Sequence, residues 1–197
     1  MTFIVLEGGE GSGKTTQAAR LTAWLAARGH DVVSTFEPGG TTTGARVRDV
    51  VLHSATLEAR TELLLMLADR AQHVDEVVRP ALERGAVVVC DRYSPSSLVY
   101  QGIGRGLGVE NVARLDAFAT GGLEADVVVV LDVPDDIADG RASATDRVER
   151  EGTAFHARIR RAYRELAPAH GWQLVDGRGT ADEVEARVRN AVSAAVS

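Results

Sequence analysis

Short runs of apolar, mostly β-branched residues alternate along the chain with longer stretches in which apolar positions recur at helical spacing. Three runs are uninterrupted, at residues 3–8, 86–91 and 126–133. A continuous apolar run is typical of a strand buried on both faces of a parallel sheet, because neither face then needs polar residues. Two weaker runs lie at 31–35 and 172–176. The pattern therefore predicts five strands.

The segments between these runs predict helices. In residues 14–28, Ala18, Leu21 and Leu25 recur at helical spacing, and Gly29 is expected to end the helix. Further helical patterns cover residues 58–84 (one long helix or a helix pair), 109–120, 151–167 and 180–196. Strands that alternate with helices of this length predict a three-layer α/β fold with a mainly parallel five-stranded sheet. Ligands of such sheets bind beyond the carboxyl ends of the strands.

Composition restricts the classes of protein to which the chain could belong. We expect its 197 residues to form one domain, 1–197, without repeats or linkers. The net charge of −6 disfavours binding to nucleic acid or to an anionic membrane, both of which require a surplus of basic charge. The single Cys90 excludes an intrachain disulfide, and no apolar run is long enough to span a membrane. The apolar run at 3–8 is also too short for a signal peptide. A cytoplasmic location is expected.

The glycine-rich stretch after the first predicted strand matches a phosphate-binding motif. Residues 8–15 fit G-x-x-x-x-G-K-[ST] without a mismatch. Lys14 is the single lysine among 22 Lys and Arg residues, and its compact ammonium can follow phosphates where a planar guanidinium cannot. Thr15 offers a hydroxyl to Mg²⁺. The predicted ATP contacts are Gly8, Gly9, Glu10, Gly11, Ser12, Gly13, Lys14, Thr15 and Thr16.

Five stretches together resemble the thymidylate kinase family of nucleoside monophosphate kinases, in that family's order. They are "EGGEGSGKTTQ", "FEPGGTTTGARVR" (36–48), "LLLMLADRAQH" (63–73), "DRYSPSSLVYQGIGRG" (91–106) and "DRVEREGTAFHARIRRAYREL" (146–166). The resemblance covers nearly the whole chain. It implies a P-loop NTPase fold, transfer of the γ-phosphate of ATP to dTMP with Mg²⁺, and a homodimer.

Two acids end predicted strands and are candidates for contact with Mg²⁺, Asp91 and Asp132. We favour Asp91 because Arg92, beside it, would place a bidentate phosphate clamp at the same crevice. In the family that Arg grips the 5′-phosphate of the acceptor. The expected catalytic groups are therefore Lys14, Asp91 and Arg92.

The resemblance also assigns residues to the acceptor. Glu10 would meet the 3′-hydroxyl, Arg48 the phosphate region and Arg70 a thymine carbonyl. The remaining expected contacts are Glu37, Pro38, Met66, Arg92, Ser97, Tyr100 and Gln101, with Tyr100 against the deoxyribose. Without the resemblance, the stretch "EPGGT" would indicate only a turn.

The chain departs from the family pattern at two positions. Phe36 stands where the family usually has Arg before "EPGG", and Met66 stands where it usually has a Phe that stacks on thymine. Met packs against a ring face less rigidly than Phe. We therefore expect thymine binding with looser base selectivity, which motivates a second hypothesis, a kinase of the same fold whose acceptor is another pyrimidine deoxynucleotide such as dUMP.

None of the variable P-loop positions is basic, so cations that stabilise the transition state must come from elsewhere. The chain resembles the bacterial thymidylate kinases that lack a P-loop Arg, and this resemblance implies that a mobile lid at about 140–152 supplies them. We expect the charge to come first from Arg147, then from Arg141 and last from Arg150. A second set of arginines is expected to form an exposed helix face, namely Arg158, Arg160, Arg161 and Arg164.

A third hypothesis, a nucleotide-dependent switch without a small acceptor, belongs to a different class of protein. GTPases carry an "NKxD"-type guanine motif, which this chain lacks because its only lysine is Lys14. The kinase hypotheses are therefore preferred.

Overall fold

The computed structural model describes residues 2–141 and 146–196. Within them, five strands form one sheet: β1 (Thr2–Glu7), β2 (Val32–Phe36), β3 (Val87–Asp91), β4 (Val127–Asp132) and β5 (Gln173–Asp176). The strand order is β2-β3-β1-β4-β5, and every neighbouring pair is parallel. All five predicted strands are confirmed, the two weaker candidates included.

Helices connect the strands in the described part of the chain. They are α1 (Lys14–Ala26), α2 (Thr42–His53), α3 (Ala59–His73), α4 (Arg79–Glu83), α5 (Ser94–Ser97), α6 (Val109–Thr120), α7 (Asp135–Arg141), α8 (Thr153–His170) and α9 (Ala181–Val192). A π-helical segment, Val74–Val78, joins α3 to α4, and another, Leu98–Gly104, extends α5. The apolar spacing did not predict α2 and α7.

The three layers follow from alternation along the central strand. Phe3 and Val5 of β1 face the α3–α4 side of the sheet, where they pack in one cluster with residues such as Val74. Ile4 and Leu6 face the opposite side, towards α1 and α9. These four strand side chains are fully buried. Each contributes about 1.5–3 kcal/mol, which explains why the β1 run is apolar without alternation.

The strand order places a crevice at the end of β1. This strand lies between β3 and β4. After β1 the chain continues to β2 at one edge of the sheet, and after β3 it crosses to β4 on the other side of β1. Leu6 pairs with Asp91, and Glu7 pairs with Val130. The loop after β1 therefore opens between the carboxyl ends of β3 and β4, at the topological switch point where α/β sheets bind ligands.

Part of the predicted lid at 140–152 lies outside the described residues, namely 142–145. Its described portions are the end of α7 and a turn at 146–151 that precedes α8. Across residues 2–141 and 146–196, no helix combines the length and apolar character needed to cross a membrane.

Candidate active site

The loop between β1 and α1 forms a cradle around the side chain of Lys14. The Lys14 Nζ donates a hydrogen bond to the Gly9 carbonyl oxygen (2.9 Å) and another to Ser12 Oγ (3.4 Å). Three glycines in the loop have positive φ, which residues with a Cβ rarely adopt: Gly8 (142°), Gly11 (70°) and Gly13 (90°). The loop therefore has a glycine-dependent backbone conformation at the start of a helix, the kind of place where proteins commonly bind phosphate.

The ammonium of Lys14 is electrostatically unsatisfied in this cradle. Burial, together with the positive charge of Arg92, lowers the pKa of Lys14 from 10.5 to about 8, against the opposing effect of Asp91 and Glu10. A buried cation whose charge is only partly balanced will favour a polyanion beside it. The electrostatics of the loop are thus those of a phosphate site.

Thr15 and Asp91 form a pair that fits Mg²⁺. Thr15 Oγ1 donates to Asp91 Oδ2 at 2.6 Å, while Asp91 Oδ1 is buried and has no hydrogen-bond partner in the described residues. Mg²⁺ is usually held by one or two protein oxygens, with phosphate and water completing its shell. The described residues contain no cluster of three metal-ligating side chains. The alternative acid, Asp132, instead accepts from Arg164 Nε at 2.8 Å.

Arg92 is held in an unusual conformation directly after β3. It is the one described non-glycine residue with positive φ (74°), and such outliers concentrate at functional sites. Its guanidinium donates to Ser96 Oγ (3.1 Å) and weakly to the Gly8 carbonyl oxygen (3.4 Å). It also lies 5.2 Å from the Tyr100 ring centroid and 3.8 Å from a Glu10 carboxylate oxygen. Arg92 thus joins the phosphate cradle to the loop after β3.

Glu7 positions the loop after β3, and we did not predict this role from the sequence. Its side chain is fully buried and accepts hydrogen bonds from the backbone N–H groups of Tyr93 (2.9 Å) and Ser96 (3.1 Å). The hydroxyls of Ser96 (2.8 Å) and Tyr163 (2.6 Å) donate to its other oxygen. The available signal was a lone acid at the end of the apolar run "FIVLEG", since a buried carboxylate must be hydrogen-bonded.

One cavity of about 520 Å³ connects the phosphate cradle with the expected acceptor residues. Lys14, Thr15 and Asp91 line it on the cradle side. On the other side it is lined by residues that the resemblance assigns to the acceptor, among them Glu10, Glu37, Pro38, Arg48, Met66, Arg92, Tyr100 and Gln101. The volume is within the range of small-molecule sites. The residues expected to contact the donor and those expected to contact the acceptor therefore line one space.

Comparison with known proteins identifies the family. A family model described as thymidylate kinase matches residues 6–188. The chain belongs to the thymidylate kinase family. The thymidylate kinase of Deinococcus radiodurans is 49% identical over 197 residues, which cover 97% of this chain and 96% of that protein. The thymidylate kinase of Cutibacterium acnes is 45% identical over 195 residues, which cover 97% and 96%.

A solved structure supports the same assignment. The crystal structure of thymidylate kinase from Ehrlichia chaffeensis matches this chain with a TM-score of 0.80 and 27% identity, covering 96% of this chain and 97% of that one. Membership of the family makes the protein a kinase, that is, a phosphotransferase, with the P-loop NTPase fold. The expected fold class and enzyme class are both confirmed.

Arg70, which the family resemblance assigns to a thymine carbonyl, is bound by protein groups. It is 1% exposed; its Nε donates to Glu37 Oε2 (2.8 Å), and one terminal nitrogen donates to Ser97 Oγ (3.0 Å) and pairs with Asp116. Glu37 also accepts from His73 Nδ1 (2.8 Å). Neither Arg70 nor Ser97 lines the cavity as the described residues define it. Their direct contact with a base stays a prediction.

The remaining acceptor residues lie at the cavity wall. Arg48 donates to the Pro38 carbonyl oxygen at 2.8 Å, which ties α2 to the turn that follows β2. Its guanidinium lies 5.8 Å from the ring centroid of Phe36. Met66 lines the cavity, and so does Tyr100, whose hydroxyl lies 3.5 Å from Arg92. The position of Met66 allows its thioether side chain to meet a base, as predicted for the aromatic residue that it replaces.

The two favoured lid arginines lie in different surroundings. Arg147 donates through Nε to the Val51 carbonyl oxygen (3.1 Å), and its backbone N–H donates to the Leu52 carbonyl oxygen (3.0 Å). A terminal nitrogen of Arg147 pairs with Glu62 Oε2 at 2.7 Å. Arg147 is therefore docked on the acceptor side of the cavity, whereas Arg141 is exposed at the end of α7. Their participation in catalysis stays a prediction.

The expectation that Arg160 belongs to an exposed helix face is wrong. Arg160 is 4% exposed, and a Cβ at Gly9 would lie only 2.7 Å from its Cγ. Its guanidinium donates to Asp135 (2.6 Å) and lies 3.1 Å from Asp139. Because α8 packs with α7, this arginine is buried between the P-loop and two acids that neutralise it, an arrangement that helical periodicity alone does not show.

Proposed function

We propose that the protein transfers the γ-phosphate of ATP to dTMP, giving ADP and dTDP on the route to dTTP. The observation that carries this proposal is the single cavity that Lys14, Thr15 and Asp91 share with Met66, Tyr100 and Gln101. A switch protein needs only the first group, whereas a kinase with a small acceptor needs both. The similarity of this chain to proteins named thymidylate kinases supports dTMP, rather than dUMP, as its acceptor.

On the donor side, the P-loop amides and Lys14 would hold the β- and γ-phosphates of ATP. Thr15 and Asp91 would hold Mg²⁺, which neutralises charge on the phosphate oxygens during transfer. Asp91 has one carboxylate oxygen bonded to Thr15 and the other without a partner in the described residues. This unpartnered oxygen supports a role in binding a metal ion or its water.

On the acceptor side, Arg92 would bind the 5′-phosphate of dTMP. Its guanidinium is oriented by Ser96 and lies at the same crevice as Lys14, so the attacking oxygen and the γ-phosphate would be brought together between two cations. Tyr100 would pack against the deoxyribose and Glu10 would meet the 3′-hydroxyl. Positioning and charge neutralisation of this kind are what phosphoryl transfer requires.

The turn at 146–151 supports a lid function for the region around it. Asp146, Val148 and Glu149 line the cavity, and Arg147 anchors the turn on α2 and α3. Arg141 and Arg147 remain the proposed sources of additional positive charge, in a single domain whose proposed lid includes the described turn at 146–151.

We also propose a cytoplasmic homodimer, joined through the α2, α3 and α6 side of the molecule. α3 packs against both α2 and α6. Large apolar side chains on these three helices are exposed, most of all Phe118 (89%) and Leu64 (59%), with Val50 and Leu115 less so. Exposed apolar side chains concentrated on neighbouring helices are typical of a protein–protein interface.

A coupled assay of ADP release tests the proposed function. The acceptors are dTMP, dUMP, UMP, dCMP and AMP, together with a reaction without acceptor. We expect kcat/KM with dTMP at least tenfold above every other acceptor. A better rate with dUMP would favour the alternative, and ADP release independent of acceptor would refute both kinase hypotheses. Lys14→Ala should abolish turnover, and if it does not, the donor site is assigned wrongly.

A further inference from the structure

Glu62 is a buried acid that contacts three side chains from two other segments beside the acceptor cavity. It lies on α3 and is 2% exposed. Its Oε1 accepts a hydrogen bond from Gln101 Nε2 (2.8 Å), and Arg105 Nε lies 3.2 Å from both of its oxygens. Arg147 donates to Oε2 at 2.7 Å. Glu62 thus contacts both the π-helical segment that extends α5, through Gln101 and the following Arg105, and the turn before α8, through Arg147.

The two arginines keep Glu62 ionised. Burial alone would raise its pKa, but the hydrogen bonds from Gln101, Arg105 and Arg147 outweigh burial and hold the pKa of Glu62 below its ordinary value. An ionised carboxylate can only accept hydrogen bonds. The neighbouring amide of Gln101 must therefore turn its NH₂ group, and not its oxygen, towards Glu62.

This requirement determines which group Gln101 offers to a ligand. Gln101 lines the cavity, and its Oε1 is buried without a hydrogen-bond partner in the described residues. A carbonyl oxygen in that position accepts hydrogen bonds and cannot donate them. Thymine carries a hydrogen-bond donor at N3, whereas the N3 of cytosine is an acceptor.

We propose that Glu62 is a positioning residue that fixes the Gln101 amide with its oxygen towards the acceptor base, so that a base with N3–H is selected over cytosine. The role rests on the proposed function, because it presumes a pyrimidine nucleotide in the cavity. Through Arg147, the same carboxylate anchors the turn at 146–151 beside that base. Glu62 need not touch the substrate in either role.

The test compares Glu62→Gln with Glu58→Gln, a matched change one turn earlier, at the exposed start of α3 where the side chain makes no capping hydrogen bond. A glutamine at 62 can donate as well as accept, so the Gln101 amide is free to turn over. We expect the ratio of kcat/KM for dTMP to that for dCMP to fall at least tenfold, mainly through a higher KM for dTMP. The KM for ATP should stay within twofold, and Glu58→Gln should resemble wild type.

A purely structural role would lower both efficiencies in the same proportion and leave their ratio unchanged, which would overturn the proposal. A second check uses the Gln101→Ala background, in which Glu62→Gln should change the ratio by less than twofold. If the ratio falls as much there as in the wild-type background, Glu62 does not act through Gln101.

A conservative variant covers the possibility that Glu62→Gln does not fold. Glu62→Asp keeps an acceptor-only carboxylate, so the dTMP to dCMP ratio should stay within threefold of wild type even where both efficiencies drop, and loss of the ratio would refute the role. Measurements on the wild type distinguish failure of the proposed function from failure of the proposed role of Glu62. Wild-type protein that releases no ADP with dTMP refutes the proposed function itself, whereas normal dTMP turnover with an unaltered ratio in Glu62→Gln refutes only the role of Glu62.

Discussion

The protonation of Lys14 should make the stability of the protein rise with pH in a defined window. The folded state lowers the pKa of Lys14 to about 8, mainly by burial, while the unfolded chain keeps it near 10.5. Between these two values the unfolded state binds more protons than the folded state. The free energy of unfolding therefore increases with pH across that window, and the penalty of burying the charged lysine is fully present below it.

The size of the effect follows from the shift. The penalty for burying the protonated lysine is about 3 kcal/mol at pH 7 and about 1 kcal/mol at pH 9.5, by the linkage relation. Wild type should therefore gain about 2 kcal/mol of stability from this one group between those pH values. Lys14→Met removes the titrating ammonium and keeps an unbranched side chain of similar length, so the other ionisable groups largely cancel when the two proteins are compared.

The assay is urea unfolding of both proteins at pH 7, 8, 9 and 9.5. The difference in free energy of unfolding, wild type minus Lys14→Met, should rise by about 2 kcal/mol across the series. A difference that stays flat or falls with pH would refute the argument that burial depresses this pKa.

MgATP should show the opposite trend. Its phosphates bind the protonated lysine, so the affinity of wild type for MgATP should weaken above about pH 8, by up to tenfold per pH unit. Isothermal titration at the same pH values measures this affinity. An affinity that is constant from pH 7 to 9.5 would show that the charge of Lys14 does not contribute to nucleotide binding.

Three further changes test other parts of the site. Asp91→Asn should lower kcat at least about 100-fold and raise the Mg²⁺ concentration needed for half-maximal rate. Asp132→Asn, at the end of β4, should lower kcat less than about threefold. Equal losses would argue against Asp91 as the metal contact. Met66→Phe should lower the KM for dTMP by about two- to tenfold through a better stack on the base, and an unchanged KM would place the base elsewhere. Phe118→Asp should convert a dimer to a monomer, as measured by light scattering. Leu174→Asp also replaces an exposed apolar residue, but on the edge strand β5, and should leave the dimer intact. A Phe118→Asp protein that stays dimeric would rule out the α6 surface as the interface.

The sequence alone was sufficient for the five strands and for recognising the P-loop motif, although its apolar spacing missed α2 and α7. Each strand is a short apolar run, and the P-loop requires its residues at adjacent positions, so both features can be recognised within a dozen residues of the chain. The acceptor residues required more, since the turn around Glu37 and Pro38 gained a function only from the resemblance. Even so, most of these residues line the one cavity that the structure brings together.

What the tertiary structure decided is which charges meet. Arg70 is held by Glu37 and Asp116, and Glu62 by Arg105 and Arg147, although these partners come from separate elements of the chain. Such pairings have no local pattern, because a side chain acquires its partner only when helices and strands distant in sequence pack together. For the same reason, an arginine at a helical spacing typical of a surface, or a lone glutamate ending a strand, shows its burial and its hydrogen bonds only in the folded molecule.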